Sequence, residues 1–583
     1  MQTIEIRVRQ KLNSIKAGLF QCVNFLFLIL FTTEINAGVI YVTSQQEFNN
    51  AHDAAGVNDS IIWRSGTYSD IFMEIDKDHI FIAAEELGST IFTGASRVDI
   101  KGDYITLKGF QFLDGNIGTR DVINTRGSYN TFTQLNIRAY TCYKYLRVRE
   151  ECQYVNITYC NFENRLNLDD QNILSILVDE NKPGYHKIQH CSFKNFDGIG
   201  KDMGIEPIRI GLSTQANHIS RSVVEYCYFT QCNGDGEIIS SKARQNVYRH
   251  NTFIDNPEAE LVLRHGSENI VYGNFFINGK GGVRVREGQN QYIYNNYFYG
   301  LDDRAIYLQN EDSDPLDNIN IAFNTFISCS EIILGGDGNN KPTNVTFANN
   351  IFADPNDDVF REETGTETWL GNISSGNLGI PRPSTGLRII DPLLIKNSEG
   401  FYGLTQASPA IDAAQDGYDL LPLFEGIDSI DAELIFDLMR QNRPEDINEK
   451  DLGCNEYPQN TAIQPIATEE NTGPSYNTST STSVPNITIK VSDLIKVHPN
   501  PVADQLNIEI NSKNKAQLRL DIFNTDGRYM KSIVRDSILA GNTLLQANIE
   551  TFPSGLYTIR ATYIDAQLQE RKVQNITFIK TNR

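Results

Sequence analysis

The chain reads as an all-β protein: a right-handed parallel β-helix followed by a small C-terminal β-sandwich. Three observations point there. A tetrad of the form x-(Asn/Cys)-x-Phe recurs, ending at Phe162, Phe193, Phe229, Phe253, Phe276, Phe298, Phe326 and Phe352, with degenerate copies ending at Phe112 and Ile137. The anchors are 25, 25, 31, 36, 24, 23, 22, 28 and 26 residues apart. Between them lie short runs rich in β-branched residues (EIIS, LVLR, GVRV, AIYL, EIIL), and no amphipathic helix of ten residues interrupts them. Third, the chain holds 26 Tyr and 30 Phe against 2 Trp and 5 Met, a composition suited to many short strands. A unit of this length cannot bury its own apolar face, so units must stack as coils, Phe over Phe and Asn over Asn. Leucine-rich repeats share the period but need a leucine–asparagine pattern that is missing. A sandwich would show hairpin turns every 8–12 residues.

The elements follow in order. Residues 1–37 form an export signal, with Arg7, Arg9, Lys11 and Lys16 leading an apolar stretch from Ala17 to Phe31 and a small residue, Ala37, at the cleavage point. That stretch is shorter than the roughly 20 residues a membrane span needs, and no later segment is a candidate. Residues 38–457 carry the repeats. Cys160, Cys191 and Cys227 fall in the slot that later coils fill with asparagine, which favours stacked small side chains over disulfides or a metal. Cys142 and Cys152 flank a charged insertion and could close one disulfide. Residues 458–490 are rich in Ser, Thr, Asn and Pro and read as a flexible linker. Residues 491–583 return to alternating strands (LNIEI, LRLDIF, GLYTIRATY, NITFIK), enough for a small sandwich.

Function is read from what faces the groove of the helix. With 51 Lys and Arg against 73 Asp and Glu, the net charge is −22, which argues against general nucleic-acid or anionic-membrane binding. Against that background three cations share one position. Counted back from their coil anchors, Lys242 is 11 residues away and Arg264 and Arg286 are each 12. Near-equal offsets place them about 4.8 Å apart up one wall, where they repel unless an anionic ligand lies between them. Asp235 and Glu237, two residues apart, are expected on one side of a strand, with Glu206 one coil earlier. Carboxylates without interleaved Cys or His suit Ca²⁺.

Residues 38–457 resemble polysaccharide lyase family six, which holds alginate lyases and chondroitinase B. The resemblance rests on DSIIWRSGTYSD, TIFTGASRVDIKGDYITLKGFQF, EPIRIG at 206–211, DGEIISSK at 235–242, LRHG at 263–266, Asp391-Pro-Leu-Leu, Ser408-Pro-Ala-Ile-Asp412 and DLGCNEY. It implies β-elimination in a uronate polymer, with Lys242 as the base for the C5 proton, Arg264 assisting the departing O4 and His265 serving the neighbouring subsite. Arg209, Arg284, Arg286 and Tyr307 are the further substrate-binding candidates, and Glu206, Asp235 and Glu237 the candidate Ca²⁺ ligands. Two departures stand out: Asp235 replaces the family's glutamate, and the family's asparagine ligand falls near Met203, where Asp202 or Glu206 would have to substitute. The tail, with Val497-His-Pro-Asn-Pro501, DIFNTDGR and Pro553-Ser-Gly-Leu-Tyr557, resembles the C-terminal sorting domain of the type IX secretion system. It implies a partner in that machinery and a protein exported through the periplasm, then secreted or attached to the cell surface. The reading is an exported lyase acting on alginate. The alternatives are a chondroitin or dermatan sulfate lyase, for which Arg284, Arg286 and Arg304 would bind sulfate, and a non-catalytic glycan-binding adhesin.

Overall fold

The structure is a computed structural model describing residues 37–167, 169–197, 204–309, 316–335, 341–362, 364–397, 399–427, 430–458, 466–476, 495–512, 516–524, 529–538, 541–565 and 571–581. The expected export signal, up to Asn36, lies outside these residues, as do Asp202 and Met203. Among the described residues no helix is long and apolar enough to cross a membrane. Two compact units divide at Ser479 and Thr480.

The first unit is the parallel β-helix. One sheet holds 14 strands paired in parallel, one per coil, beginning with Val39–Val42 and Ser60–Trp63. The other strands form a longer parallel array in which each coil contributes two short segments on different faces. A ten-residue helix, Gln45–Ala54, packs at the start; the Ser44 side chain accepts from the Glu47 N–H, the usual way to satisfy a free helix N-terminus.

The predicted register is the observed one. Phe112 pairs with Ile137, Ile137 with Phe162 and Phe162 with Phe193, and the anchors continue in step to Phe352. From Phe162 to Phe352 the rings stack face to face at 4.6–5.1 Å. The slot beside them is a hydrogen-bond ladder. Asn296 Oδ1 accepts from the Asn274 backbone N–H at 2.9 Å and from Asn274 Nδ2 at 3.0 Å, and Asn296 Nδ2 donates to the Val271 carbonyl at 3.0 Å. The same pattern runs through Asn251, Asn324, Asn350 and Asn372. Cys160, Cys191 and Cys227 occupy this slot as thiols, each facing a carbonyl of the preceding coil. All eight described cysteines are free and buried, so Cys142 and Cys152 do not form the disulfide considered from sequence. Each is packed separately into the interior, Cys152 Sγ against the Thr125 carbonyl at 3.3 Å.

Two boundaries differ from the sequence reading. The coils end with Leu387–Ile389, just before Asp391-Pro392, where proline withholds a ladder donor. Residues 391–457 instead fold back along the flank of the later coils, where Leu404, Leu434 and Met439 share a core with Tyr294 and Phe323. Part of the expected flexible linker is also ordered. Gly473 N donates to the His190 carbonyl at 2.8 Å, Glu469 pairs with Lys194 at 2.8 Å, and Tyr476 Oη donates to the carbonyls of Phe110 and Gln134. This strap covers a second polar ladder, Gln111–Asn136–Asn161–Ser192, which it leaves largely buried. Its path needs glycine at 473, where φ is +72° and a Cβ would stand 2.7 Å from Ser192 Oγ.

The second unit is an antiparallel sandwich of a three-stranded and a four-stranded sheet around Leu506, Ile508, Leu520, Ile559 and Phe578. The expected strands are all present.

Two outcomes follow. Asn296→Leu strands buried donors and an acceptor, each worth about 1–3 kcal/mol, so thermal melting should show a loss of at least that size. A first unit ending at 479 should melt higher than one ending at 457, which lacks the strap; equal melting temperatures would show that the strap adds nothing.

Candidate functional site

The site lies on one face of the longer array, where parallel pairing makes sequence register into geometry. Ser241 pairs with Leu263, so the next residues, Lys242 and Arg264, stand side by side; Arg264 pairs with Arg286 and Arg286 with Gln309. A second row two residues earlier runs Arg209, Ser240, Val262, Arg284, Tyr307. The strand Glu237–Ser241 positions Lys242, whose N–H continues the ladder to the Ile210 carbonyl at 2.8 Å.

A cleft of about 500 Å³ opens over these rows, lined by Asp170, Gly204, Glu206, Arg209, Asp235, Lys242, Arg264 and Arg286. Several of its charges are tied to partners. Glu206, buried, takes Arg209 through both carboxylate oxygens, with contacts of 3.0, 2.7 and 2.6 Å. Arg264 Nη1 donates to Glu237 Oε1 at 2.8 Å. Lys242 is 9% exposed, and no described residue hydrogen-bonds or ion-pairs with its ammonium. Burial lowers its pKa first, Arg209 and Arg264 push it the same way, and Glu206 and Glu237 pull against them. Burial also pushes Glu206 up to about 7 against the pull of Arg209, with Glu237 and Asp235 adding to the rise.

The spacing of Asp235 and Glu237 predicts both on one strand, but the strand starts only at Glu237. Asp235 sits in the bend between Gly234 and Gly236, where Oδ1 accepts from the Glu237 N–H at 3.0 Å and Oδ2 from the Gly204 N–H at 2.6 Å. The aspartate thus caps the start of the strand that carries Glu237. Gly204 is required at its place: φ is +71° and a Cβ would overlap Asp170 Oδ1 at 1.5 Å.

The donor set suits an oxygen-preferring divalent ion in part. Glu237 Oε2 is buried with no hydrogen-bond partner among the described residues, and the Asp235 carboxylate accepts from the backbone N–H of the same Glu237. Glu206 does not fit, since both its oxygens face Arg209. Among the described residues no three His, Cys, Asp or Glu side chains converge as a metal cluster.

The remaining expected residues lie at the margin. His265 follows Arg264, its Nδ1 against Glu287. Arg284 stands 3.8 Å from Glu260, which Arg304 holds at two points, 2.6 and 3.1 Å. Tyr307 is 8% exposed beneath the Arg304 guanidinium. Glu260, Glu287 and Asp170 were missed in the sequence. The first two could have been found by the same back-count, since Glu260 stands as far before Phe276 as Glu237 before Phe253, and Glu287 as far before Phe298 as His265 before Phe276. Asp170 has no such signal, because it lies in the long segment between anchors Phe162 and Phe193.

The sequence model of the chondroitinase B family matches residues 42–355, more than half of the chain and all of the cleft. The chain belongs to this family. Solved structures of polysaccharide lyase family six share its fold. One is the alginate lyase AlyGC, at 23% identity and a TM-score of 0.57, covering 64% of this chain and 56% of that one. Another is a mannuronic acid specific lyase from human gut microbiota, at 24% identity and 0.52, covering 61% and 91%. A third is an alginate lyase in complex with a trisaccharide, at 17% and 0.54, covering 64% and 92%. The chain thus spans little more than half the length of AlyGC. No curated protein matches it. Residues 496–574 match the secretion system C-terminal sorting domain, which marks this family member for export by the type IX route, to secretion or the cell surface.

The buried Lys242 gives a stability prediction. A lysine with a depressed pKa binds its proton more tightly unfolded than folded, so its charge destabilises the fold in full below the folded pKa. The penalty disappears as pH rises to the ordinary lysine value of about 10.4. Lys242→Met should therefore raise the melting temperature at pH 7, with the gap closing as the pH approaches that value. A constant gap across this range would assign the change to packing.

Proposed function

We propose that the protein is an exported lyase that cleaves alginate by β-elimination, with Lys242 as the base. The observation that carries this reading is Lys242 itself, a buried lysine with a lowered pKa, in register with Arg264 and Arg286 on one wall of an open cleft.

The chemistry follows from the charges. The C5 proton of a uronate is acidified when its carboxylate charge is neutralised. Arg209, Arg264 and Arg286 line the cleft that would receive that carboxylate. A neutral Lys242 amine takes the proton as the C5–H bond breaks, the C4–C5 double bond forms, and the C4–O4 bond breaks. The lowered pKa raises the fraction of neutral amine near pH 7. A guanidinium is a poor proton donor, so Arg264 stabilises the developing charge on O4 and the proton reaches O4 through water. Its ion pair with Glu237 holds the guanidinium in place. A divalent ion held by Asp235 and Glu237 would supply further neutralisation of the uronate carboxylate; we include Ca²⁺ in the proposal on the strength of the partnerless Glu237 Oε2.

Two observations favour alginate. The solved neighbours named above are alginate or mannuronate lyases. Glu260 engages Arg304 and stands near Arg284, so cations that would serve a sulfate group are already matched. The family model, named for chondroitinase B, keeps the sulfated-glycan reading as the second choice.

The first test compares Lys242→Ala and Lys242→Arg on alginate and dermatan sulfate, following the unsaturated product by ultraviolet absorbance. Both variants should lose about 10²–10⁴-fold in kcat while still binding oligosaccharide. A Lys242→Arg enzyme retaining about a tenth of wild-type activity would remove the base assignment, because guanidinium holds its proton near neutral pH. Product from dermatan sulfate alone would move the substrate to the second choice. Chelation should abolish turnover and lower the melting temperature, with Ca²⁺ restoring both. Metal-free protein with full activity and unchanged melting would reject the ion and leave Lys242 in place.

A further inference from the structure

The coil after Arg264 places a buried carboxylate directly against His265. Arg264 and Arg286 are paired, so the residues that follow them, His265 and Glu287, stack in the same turn on consecutive coils, each with φ of +67°. The His265 N–H donates to the Arg286 carbonyl at 3.1 Å, which locks this register. Glu287 Oε2 contacts His265 Nδ1. The glutamate side chain is 1% exposed and the histidine 19%.

These burials differ in a useful way. A polar group with almost no access to water needs partners within the protein, and for Glu287 these include the imidazole. A carboxylate oxygen is an acceptor, so this contact favours the ring tautomer with its proton on Nδ1. Nδ1 and Nε2 lie on opposite sides of the ring, so a ring tied inward at Nδ1 turns Nε2 outward. His265 is only partly buried, and no described residue bonds its Nε2. It directly follows Arg264, which lines the cleft.

We infer that Glu287 is a positioning residue: it fixes the tautomer and orientation of His265 so that Nε2 faces the uronate beside the scissile bond. This rests on the proposed lyase activity. The bland alternative is an ion pair that only holds two coils together. The two differ in kinetics. A positioning residue acts through His265 alone, so its loss should be felt in substrate affinity and should vanish once His265 is gone. A structural pair should be felt in melting temperature, whatever substrate does.

The test uses the full chain and four proteins: wild type, Glu287→Gln, His265→Ala and the double variant, with kcat, KM and melting temperature measured for each on alginate. Glu287→Gln keeps a group able to accept or donate at Nδ1 and so loses the fixed tautomer with little change in volume. It should raise KM about tenfold, the lower end of what is lost with the partners that orient metal-ligating histidines, and change kcat less than about threefold. The double variant should be no worse than His265→Ala alone. Should Glu287→Gln fail to fold, Glu287→Asp, which retains the charge one methylene short of the ring, takes its place with the same expected KM rise. Unchanged KM in a folded Glu287 variant, or losses that simply multiply in the double variant, would overturn the inference while leaving the lyase reading intact. A wild-type protein inactive on every uronate polymer would overturn the lyase reading, and this inference with it.

Discussion

Everything in the first unit depends on the parallel hydrogen-bond register between coils. Once Phe162 sits on Phe193 and each later anchor on the next, every residue at a fixed distance from an anchor is stacked on its counterpart. The asparagine ladder enforces that register from inside. Each amide satisfies a backbone N–H and a carbonyl that would otherwise be buried without partners, so a slip of one residue would break several hydrogen bonds at once. The phenylalanine stack alone is less selective, since aromatic rings tolerate sliding.

This rigidity lets the protein hold like charges together. Lys242, Arg264 and Arg286 would separate in a looser scaffold; here they are fixed to adjacent strands whose spacing cannot relax. The surrounding acids moderate the repulsion unevenly. Arg209 and Arg264 each have a carboxylate, whereas Lys242 has none among the described residues. The lysine is thus a cation of this row left without a carboxylate among the described residues, and burial lowers its pKa, which suits the base role proposed for it. Local strain in the folded state and reactivity come from the same arrangement.

The flank opposite in character is built from chain that the repeats do not supply. Residues 391–457 and the 466–476 strap run along the coils and cover polar and aromatic side chains that the β-helix leaves outward. Their contribution is to bury, and it explains why a stretch of Ser, Thr and Asn composition is ordered in part. Polar residues can pack when the surface beneath them offers matching donors and acceptors, as Gln134 does for Ser475.

The sequence by itself determined the coil architecture, its register and the row of three cations, because in a parallel β-helix equal spacing from a repeated anchor is equal position in space. It also determined the tail sandwich, through the alternation of its strands. Tertiary structure alone decided which charges are free and which are matched. That Glu206 belongs to Arg209, that Glu260 holds Arg304, and that Asp235 caps a strand depend on side-chain directions and on a bend between two glycines. Spacing has no access to these. Asp170 entered the cleft for the same reason: it sits in a long segment between anchors, and the path of such a segment is set by the surface it crosses rather than by its own repeat. The cysteines divide along this line too, since their slot was legible from the repeat, while the separate burial of Cys142 and Cys152 follows from how the insertion between them folds.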